Sequence, residues 1–233
     1  MQSDTYPNLR THDHHVSCEV ITPENYRTQG HQLTIYWCFY DSPFGRILIG
    51  RVKKGICWLS FVINDDREQA YRMLMAQWGK ARMSYDPDAT LSMIDHLVTC
   101  SDPQCKTVVP VILCGTSFQI NVWQALLRIP LGHVVCYQDI AYAIGHPKAV
   151  RAVGHSVSHN RVSLIVPCHR VIGKNGPIHH YRWQPERKRA LLAWEGIQGL
   201  KKEEDTITKK NDSLRHQPWY TGPVDDLVST RLQ

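Results

Sequence analysis

Between Leu33 and Asn64 three runs rich in β-branched and aromatic residues, LTIYWCFY, GRILIGRV and GICWLSFVIN, follow one another with only DSPFG and KKG as punctuation. Side chains of that kind pack well on a pleated surface, and gaps that short suit hairpins. The stretch reads as an antiparallel meander. In DREQAYRMLMAQWG (66–79) the apolar residues move to helical spacing, and Gly79 stops the pattern. A sheet with a helix to cover it makes the first part α+β. A helical stretch near LSMIDHLV and a strand at KTVVPVIL are expected next, after which the chain changes character.

The second part opens with GTSFQINVWQALLRIPLG, in which Thr116 and, three residues on, Gln119 form a capping-box pattern. Phe118, Val122, Leu126 and Ile129 fall on one helical stripe, widened by Trp123 and Leu127, and are expected in the core. YQDIAYAIG (137–145) and PKAVRAVGHSVSHN (147–160) read as two shorter helices separated by Gly145, with Pro147 opening the second. That is the spacing of a helix-turn-helix. The second helix turns Lys148, Arg151 and His155 to its polar side, while Ala149, Ala152 and Gly154 keep that surface low enough for another backbone to come close. A merely solvated face fits the same pattern.

The chain has 233 residues, 42% hydrophobic and 21% charged, which is enough to bury a core and too apolar for wholesale disorder. Its net charge of +6 is unevenly placed. Gly115 to Gly199 holds 10 Lys and Arg against 3 Asp and Glu, and the rest of the chain holds 17 against 18. A local excess of that size favours a polyanionic partner such as nucleic acid. MQSDTYPNLRTHDHH has no apolar leader core and no later run has the length to span a bilayer. The expectation is an intracellular protein without membrane contact, in the cytoplasm or nucleoid of a prokaryote or the nucleus of a eukaryote. The 8 cysteines lack C-x-x-C pairing and are expected as free thiols, Cys38, Cys57 and Cys136 among apolar neighbours.

VPCHRVI (166–172) sets Cys168 beside His169 between apolar pairs. Pro167 removes an amide donor and pushes Val166 toward extended backbone, so LIVP is expected as a strand ending at the cysteine. Neighbours on a strand face opposite sides, and His169 reaches the thiol only across a turn or a water. On these residues alone Cys168 is a nucleophile, a metal ligand or a buried thiol. A base and an orienting carboxylate would make it reactive.

Taken together and in this order, GTSFQINVWQALLRIPLG, YQDIAYAIGHPKAVRAVGHSVSHN, VPCHRVI, YRW and RKRALLAWEG resemble the O6-alkylguanine-DNA alkyltransferases. The resemblance is close over 115–199 and looser over 31–114, and its last two pieces are most like the C-terminal half of the bacterial adaptive-response protein. It implies direct damage reversal: duplex DNA is bound in the minor groove through the helix-turn-helix and the alkylated guanine is flipped out. The alkyl group then passes irreversibly to the protein's own cysteine, once per molecule, with O4-alkylthymine as a further substrate. The residue roles it implies are Cys168 as acceptor, His169 as the base acting through a water, and Glu195 as the group orienting that base. Asn160 would bridge the helix-turn-helix to the cysteine segment, and Tyr137 would donate to the flipped guanine or its flanking phosphate. Arg151 would fill the gap left in the base stack, with Lys148, Ala149 and Ala152 also at the DNA. Val171, Tyr181, Arg182, Trp183 and Lys188 would line the pocket. A relay of His169 and Glu195 would bring the Cys168 thiol below the roughly 8.5 of a free cysteine.

The fold implied is an α+β domain over 31–113, an antiparallel sheet with helices of the ribonuclease H-like kind, followed by a mainly α-helical DNA-binding and alkyl-acceptor domain over 114–199. Residues 1–30 read as a flexible arm and 200–233 as a polar tail. The implied protein is a monomer that needs no cofactor. Some relatives bind a structural zinc, for which HDHHVSC (12–18) offers ligands, though an exposed arm explains that run as well. The sequence departs from the family pattern at Arg161, where Pro is usual, and at His180 and Gln184, where Gly is usual. The last two bear on which lesions fit. A cysteine hydrolase finds no separate Cys–His–Asn pattern here. A non-catalytic lesion sensor or helix-turn-helix regulator would keep the helices, yet the related sensors carry Trp where this chain has Cys168.

Overall fold

A computed structural model describes residues 9–11, 14–91, 108–174, 178 and 181–196 of the chain. The expected arm contains strands β1 (Leu9–Thr11) and β2 (His14–Ile21) and helix α1 (Pro23–Gln29). The meander follows as β3 (Thr34–Ser42), β4 (Gly45–Val52) and β5 (Gly55–Phe61), paired antiparallel with Cys38 opposite Ile49 and Ile49 opposite Leu59. Helix α2 (Arg67–Trp78) starts where the Asp66 carboxylate accepts the Gln69 amide at 2.8 Å. Beyond it lie β6 (Arg82–Tyr85), α3 (Pro87–Leu91) and β7 (Val108–Cys114). The helix expected at LSMIDHLV falls, after Leu91, outside the described residues, as does the tail.

The sheet is mixed, which corrects the antiparallel expectation. Its strand order is β1-β2-β7-β5-β4-β3-β6, and the β2–β7, β5–β7 and β3–β6 pairs are parallel. Hairpin signals report only strands adjacent in sequence, whereas parallel partners meet through long crossovers that leave no turn signature. Every residue of β5 is buried, as a central strand covered on both faces must be. On one face Ile35, Leu48 and Trp58 pack with Ala70, Leu74 and Trp78 of α2. On the other, Cys38, Ile47, Ile49 and Phe61 join the core of the second part.

That second part begins with α4 (Ser117–Leu126), whose capping box forms as the sequence predicts: the Gln119 amide donates to Thr116 Oγ1 and the Thr116 amide to Gln119 Oε1. Val122, Trp123, Leu126, Leu127 and Ile129 are buried and Phe118 is half-buried. After β8 (Val135–Cys136) come α5 (Tyr137–Ala143) and α6 (Val150–Ser158), with Gly145 at φ 73° in the turn between them. The Trp123 indole N–H donates to the Ser156 carbonyl at 2.8 Å and fastens α6 to α4. The chain then passes β9 (Val171–Ile172) and ends, within the described residues, in α7 (Pro185–Trp194).

Two seams lock the helices to the sheet. The Leu59 amide donates to the Arg161 carbonyl at 2.7 Å and the Ser163 amide to the Leu59 carbonyl at 2.8 Å, so the segment after α6 borrows the side of β5. From α7, Arg187 donates to the Phe44 carbonyl at 2.8 Å and lies 4.5 Å from the Phe61 ring centroid. Among the described residues no helix is long and apolar enough to cross a membrane.

Candidate active site

The LIVP run is not a strand. Val162 to Val166 coil through turns, Leu164 takes φ 69°, and Cys168 opens a single 3-10 turn, Cys168–Arg170. Asn160 holds the coil from within, its side-chain amide donating to the Val166 carbonyl at 2.8 Å and its oxygen accepting the Val162 amide at 2.9 Å. Directly afterwards, Val171 and Ile172 pair in parallel with Val135 and Cys136. This two-residue ladder sets Tyr137, the first residue of α5, beside the cysteine segment.

Cys168 is 3% exposed and lines a cleft of about 40 Å³ together with Tyr137, Asn160, Tyr181, Arg182 and Lys188. Its sulfur lies 3.7 Å from the Tyr181 hydroxyl. Burial pushes the thiol up, against the hydrogen bonds of Asn160 and Tyr181 and the charge of Lys188, which pull it down. In the DNA-free protein desolvation thus works against the expected depression below a free cysteine.

His169 and Glu195 do meet, and Arg170 joins them. His169 Nε2 hydrogen-bonds Glu195 Oε1 at 2.7 Å, while Arg170 grips both carboxylate oxygens, from Nε at 2.8 Å and from its terminal nitrogen at 3.0 Å. Arg170 also donates to the Ile129 carbonyl. All three side chains are sealed from solvent. Burial works to raise the Glu195 carboxyl, but His169 and Arg170 hold it down at about 2. Burial lowers His169, with Glu195 opposing. The group is an ionised carboxylate clamped between a guanidinium and an imidazole that burial keeps toward its neutral form. The resemblance implied no role for Arg170. An arginine set in the apolar VPCHRVI run was its signal, since a buried guanidinium must find a carboxylate.

The remaining residues divide by position. Lys148, Arg151 and Ala152 are exposed and Ala149 half-buried, on the outward side of the α6 region, with Val153, Ser156 and Val157 turned inward. Tyr137 packs near Gly154, where an added Cβ would stand 3.8 Å from its ring, and burial raises its hydroxyl. Trp183 is 1% exposed and packs on Phe61, while Arg182 donates to the Ser158 carbonyl at 3.1 Å. Val171 is buried, and its carbonyl accepts from the Lys188 ammonium. Arg161 lies 5.4 Å from the Trp58 ring centroid and is lowered to about 10 by burial. Gln184 sits at φ 77°, a left-handed conformation that favours the glycine usual there. His180 lies outside the described residues.

Of the suggested zinc ligands, His12 and Asp13 and the side chains of His14 and His15 lie outside the described residues. Cys18 is buried in β2 with its thiol pushed up to about 12. Among the described residues no group of three or more His, Cys, Asp or Glu is placed to hold a metal.

Residues 117–197 match the family model for the DNA-binding domain of 6-O-methylguanine DNA methyltransferase. The chain is 53% identical over 160 residues to an inducible methylated-DNA–protein-cysteine methyltransferase of Bacillus subtilis, covering 68% of this chain and 89% of that one. It is 34% identical over 176 residues to the bifunctional transcriptional activator/DNA repair enzyme Ada of Escherichia coli, covering 74% of this chain but 48% of the relative's length. Among solved structures, the Mycobacterium tuberculosis O6-methylguanine methyltransferase superposes with a TM-score of 0.56 at 30% identity, over 71% of this chain and 94% of that one. A second from that organism, OGT in complex with DNA, gives 0.55 at 32% identity, over 69% and 92%.

Proposed function

The chain belongs to the methylated-DNA–protein-cysteine methyltransferase family, and from that premise we propose that it repairs DNA by moving an alkyl group from O6-alkylguanine, or O4-alkylthymine, onto Cys168. In this reading the thiolate sulfur attacks the alkyl carbon, the bond from carbon to O6 breaks, and its electron pair goes to the guanine. The thiol's proton is lost and the guanine gains one, so protons balance. No second nucleophile frees the sulfur, and each molecule reacts once. The reaction draws only on the chain and its substrate.

The observation that carries this is the cleft in which Cys168, Tyr137, Asn160, Tyr181 and Lys188 converge, beside a helix and its entering turn whose outward side is Lys148, Arg151 and Ala152. In the proposal α5 and α6 act as a helix-turn-helix on the minor groove of duplex DNA, and a monomer suffices. Arg151 takes the place of the extruded base. A space of about 40 Å³ holds a few waters rather than a purine, so the base enters only as the side chains lining it move aside. Tyr137 donates to the departing guanine, and His169 with Glu195 supports the thiol. The preceding sheet is proposed as a variant of the ribonuclease H-like arrangement, read from its meander with parallel neighbours. Regulation is not carried over from Ada, since the chain spans about half of that relative.

The test is a duplex carrying O6-methylguanine labelled in the methyl group. Wild type should take up the label and Cys168→Ala should not, while both bind the duplex with similar affinity. Label on Cys168→Ala would refute the assignment.

A further inference from the structure

A buried ammonium without a carboxylate needs an explanation. Lys188 on α7 is 3% exposed, and among the described residues no Asp or Glu pairs with it. Its nitrogen donates to the Val171 carbonyl and stands 5.7 Å from the Tyr181 ring centroid. A carbonyl and a ring face ease a buried cation but do not neutralise it, and an uncompensated charge in such a place is strongly unfavourable. The Glu195 carboxylate, which could have served, is taken up by Arg170 and His169. The acidic group that shares the cleft with Lys188 and ionises in the reaction is the Cys168 thiol.

We propose that Lys188 is the counter-ion of the Cys168 thiolate, and that the sealed His169–Glu195–Arg170 cluster braces the 3-10 turn carrying the cysteine. The inference rests on the self-alkylation reading for its consequence but not for its test. Burial drives Lys188 down to about 8, with the Cys168 charge working upward, and Lys188 in turn pulls the thiol down. Each of the two groups is easier to charge when the other is charged. The thiol proton leaves to water or to the guanine, and Lys188 keeps its own.

The other groups around the sulfur are Tyr137 from α5, Asn160 after α6, and Tyr181 and Arg182 before α7, while His169, next along the turn, is turned to Glu195. Tyr181 and Tyr137 are raised and stay neutral near neutral pH. Arg182 is a second cation within reach of the sulfur's charge, but it is only half-buried and water screens it, whereas Lys188 is sealed beside the thiol. Burial turns His169 away from the cationic form. Lys188 is thus the cation whose charge the thiolate can use.

The experiment follows thiolate absorbance against pH without DNA, subtracting the same curve for Cys168→Ser so that the other cysteines cancel. Lys188→Met should move the Cys168 titration upward by about a unit or more, and Lys188→Arg should restore most of it. With a damaged duplex, Lys188→Met should lose about tenfold or more in rate at neutral pH and recover as pH rises. A folded Lys188→Met with unchanged titration overturns the proposal. So does a titration that moves equally in Lys188→Arg, since that ties the effect to packing. If the titration moves as expected but no variant takes alkyl from DNA, the counter-ion stands and the repair reading falls.

Discussion

Glu195 shows how a charge can be both buried and stabilising. Its carboxylate meets His169 and the two-pronged grip of Arg170, and removing the negative charge leaves a guanidinium sealed in the core. Breaking a buried pair from one side costs about 3–5 kcal/mol, so Glu195→Gln should be destabilised on that scale in denaturant titrations. The pH dependence has a definite sign. The folded value of about 2 lies below the roughly 4.3 of a free glutamate. The stability it confers is full above that free value and is lost as pH falls toward 2. Wild type should therefore lose on the order of 3 kcal/mol over that window, and Glu195→Gln should lose visibly less. Equal acid sensitivity in the two proteins would contradict the buried carboxylate. The resemblance singled out Cys168, His169 and Glu195 in the sequence, and the structure sets Cys168 in a cleft and His169 against Glu195. The titration of the thiol was not legible there, because it depends on burial, which no dipeptide reports.

At the scale of elements, what lay within a few residues could be read and what lay far apart could not. The capping box at Thr116 and Gln119 and the hairpins of the meander follow from residues next to one another. The parallel pairing of β7 with β2 and β5, and the borrowing of the side of β5 by Arg161 and Ser163, join segments from distant parts of the chain. LIVP failed as a strand for a related reason: Asn160 supplies the coil with side-chain hydrogen bonds that compete with a ladder. Gln184, which enters α7, carries the clearest local strain, at φ 77° and ψ 136°. Its side chain reaches Asn64 at 3.3 Å, an exposed contact of little worth. Strain of this kind costs about 1–3 kcal/mol. Gln184→Gly should therefore raise the thermal midpoint, and a lowered midpoint would mean that the Asn64 contact outweighs the backbone.

For the whole molecule, the excess positive charge is concentrated in the second part of the chain, and α6 with the turn that enters it presents some of that charge outward as Lys148 and Arg151. Binding to undamaged duplex should be nearly indifferent to sequence and should weaken steeply with salt, with the logarithm of affinity falling by roughly 0.9 per phosphate contacted for each decade of salt. Arg151→Ala should slow repair in duplex far more than reaction with free O6-benzylguanine, which needs no extrusion from a stack. Equal losses would assign Arg151 to folding. In the proposed reaction each chain is consumed by one alkyl group. Intact-mass spectrometry over time, with O6-methylguanine duplex in excess, tests it most directly. Self-alkylation gives a plateau at one added methyl per protein, mapped to Cys168, with one lesion repaired for each protein consumed. Repair that continues past that plateau, or a methyl on any other residue, would contradict it.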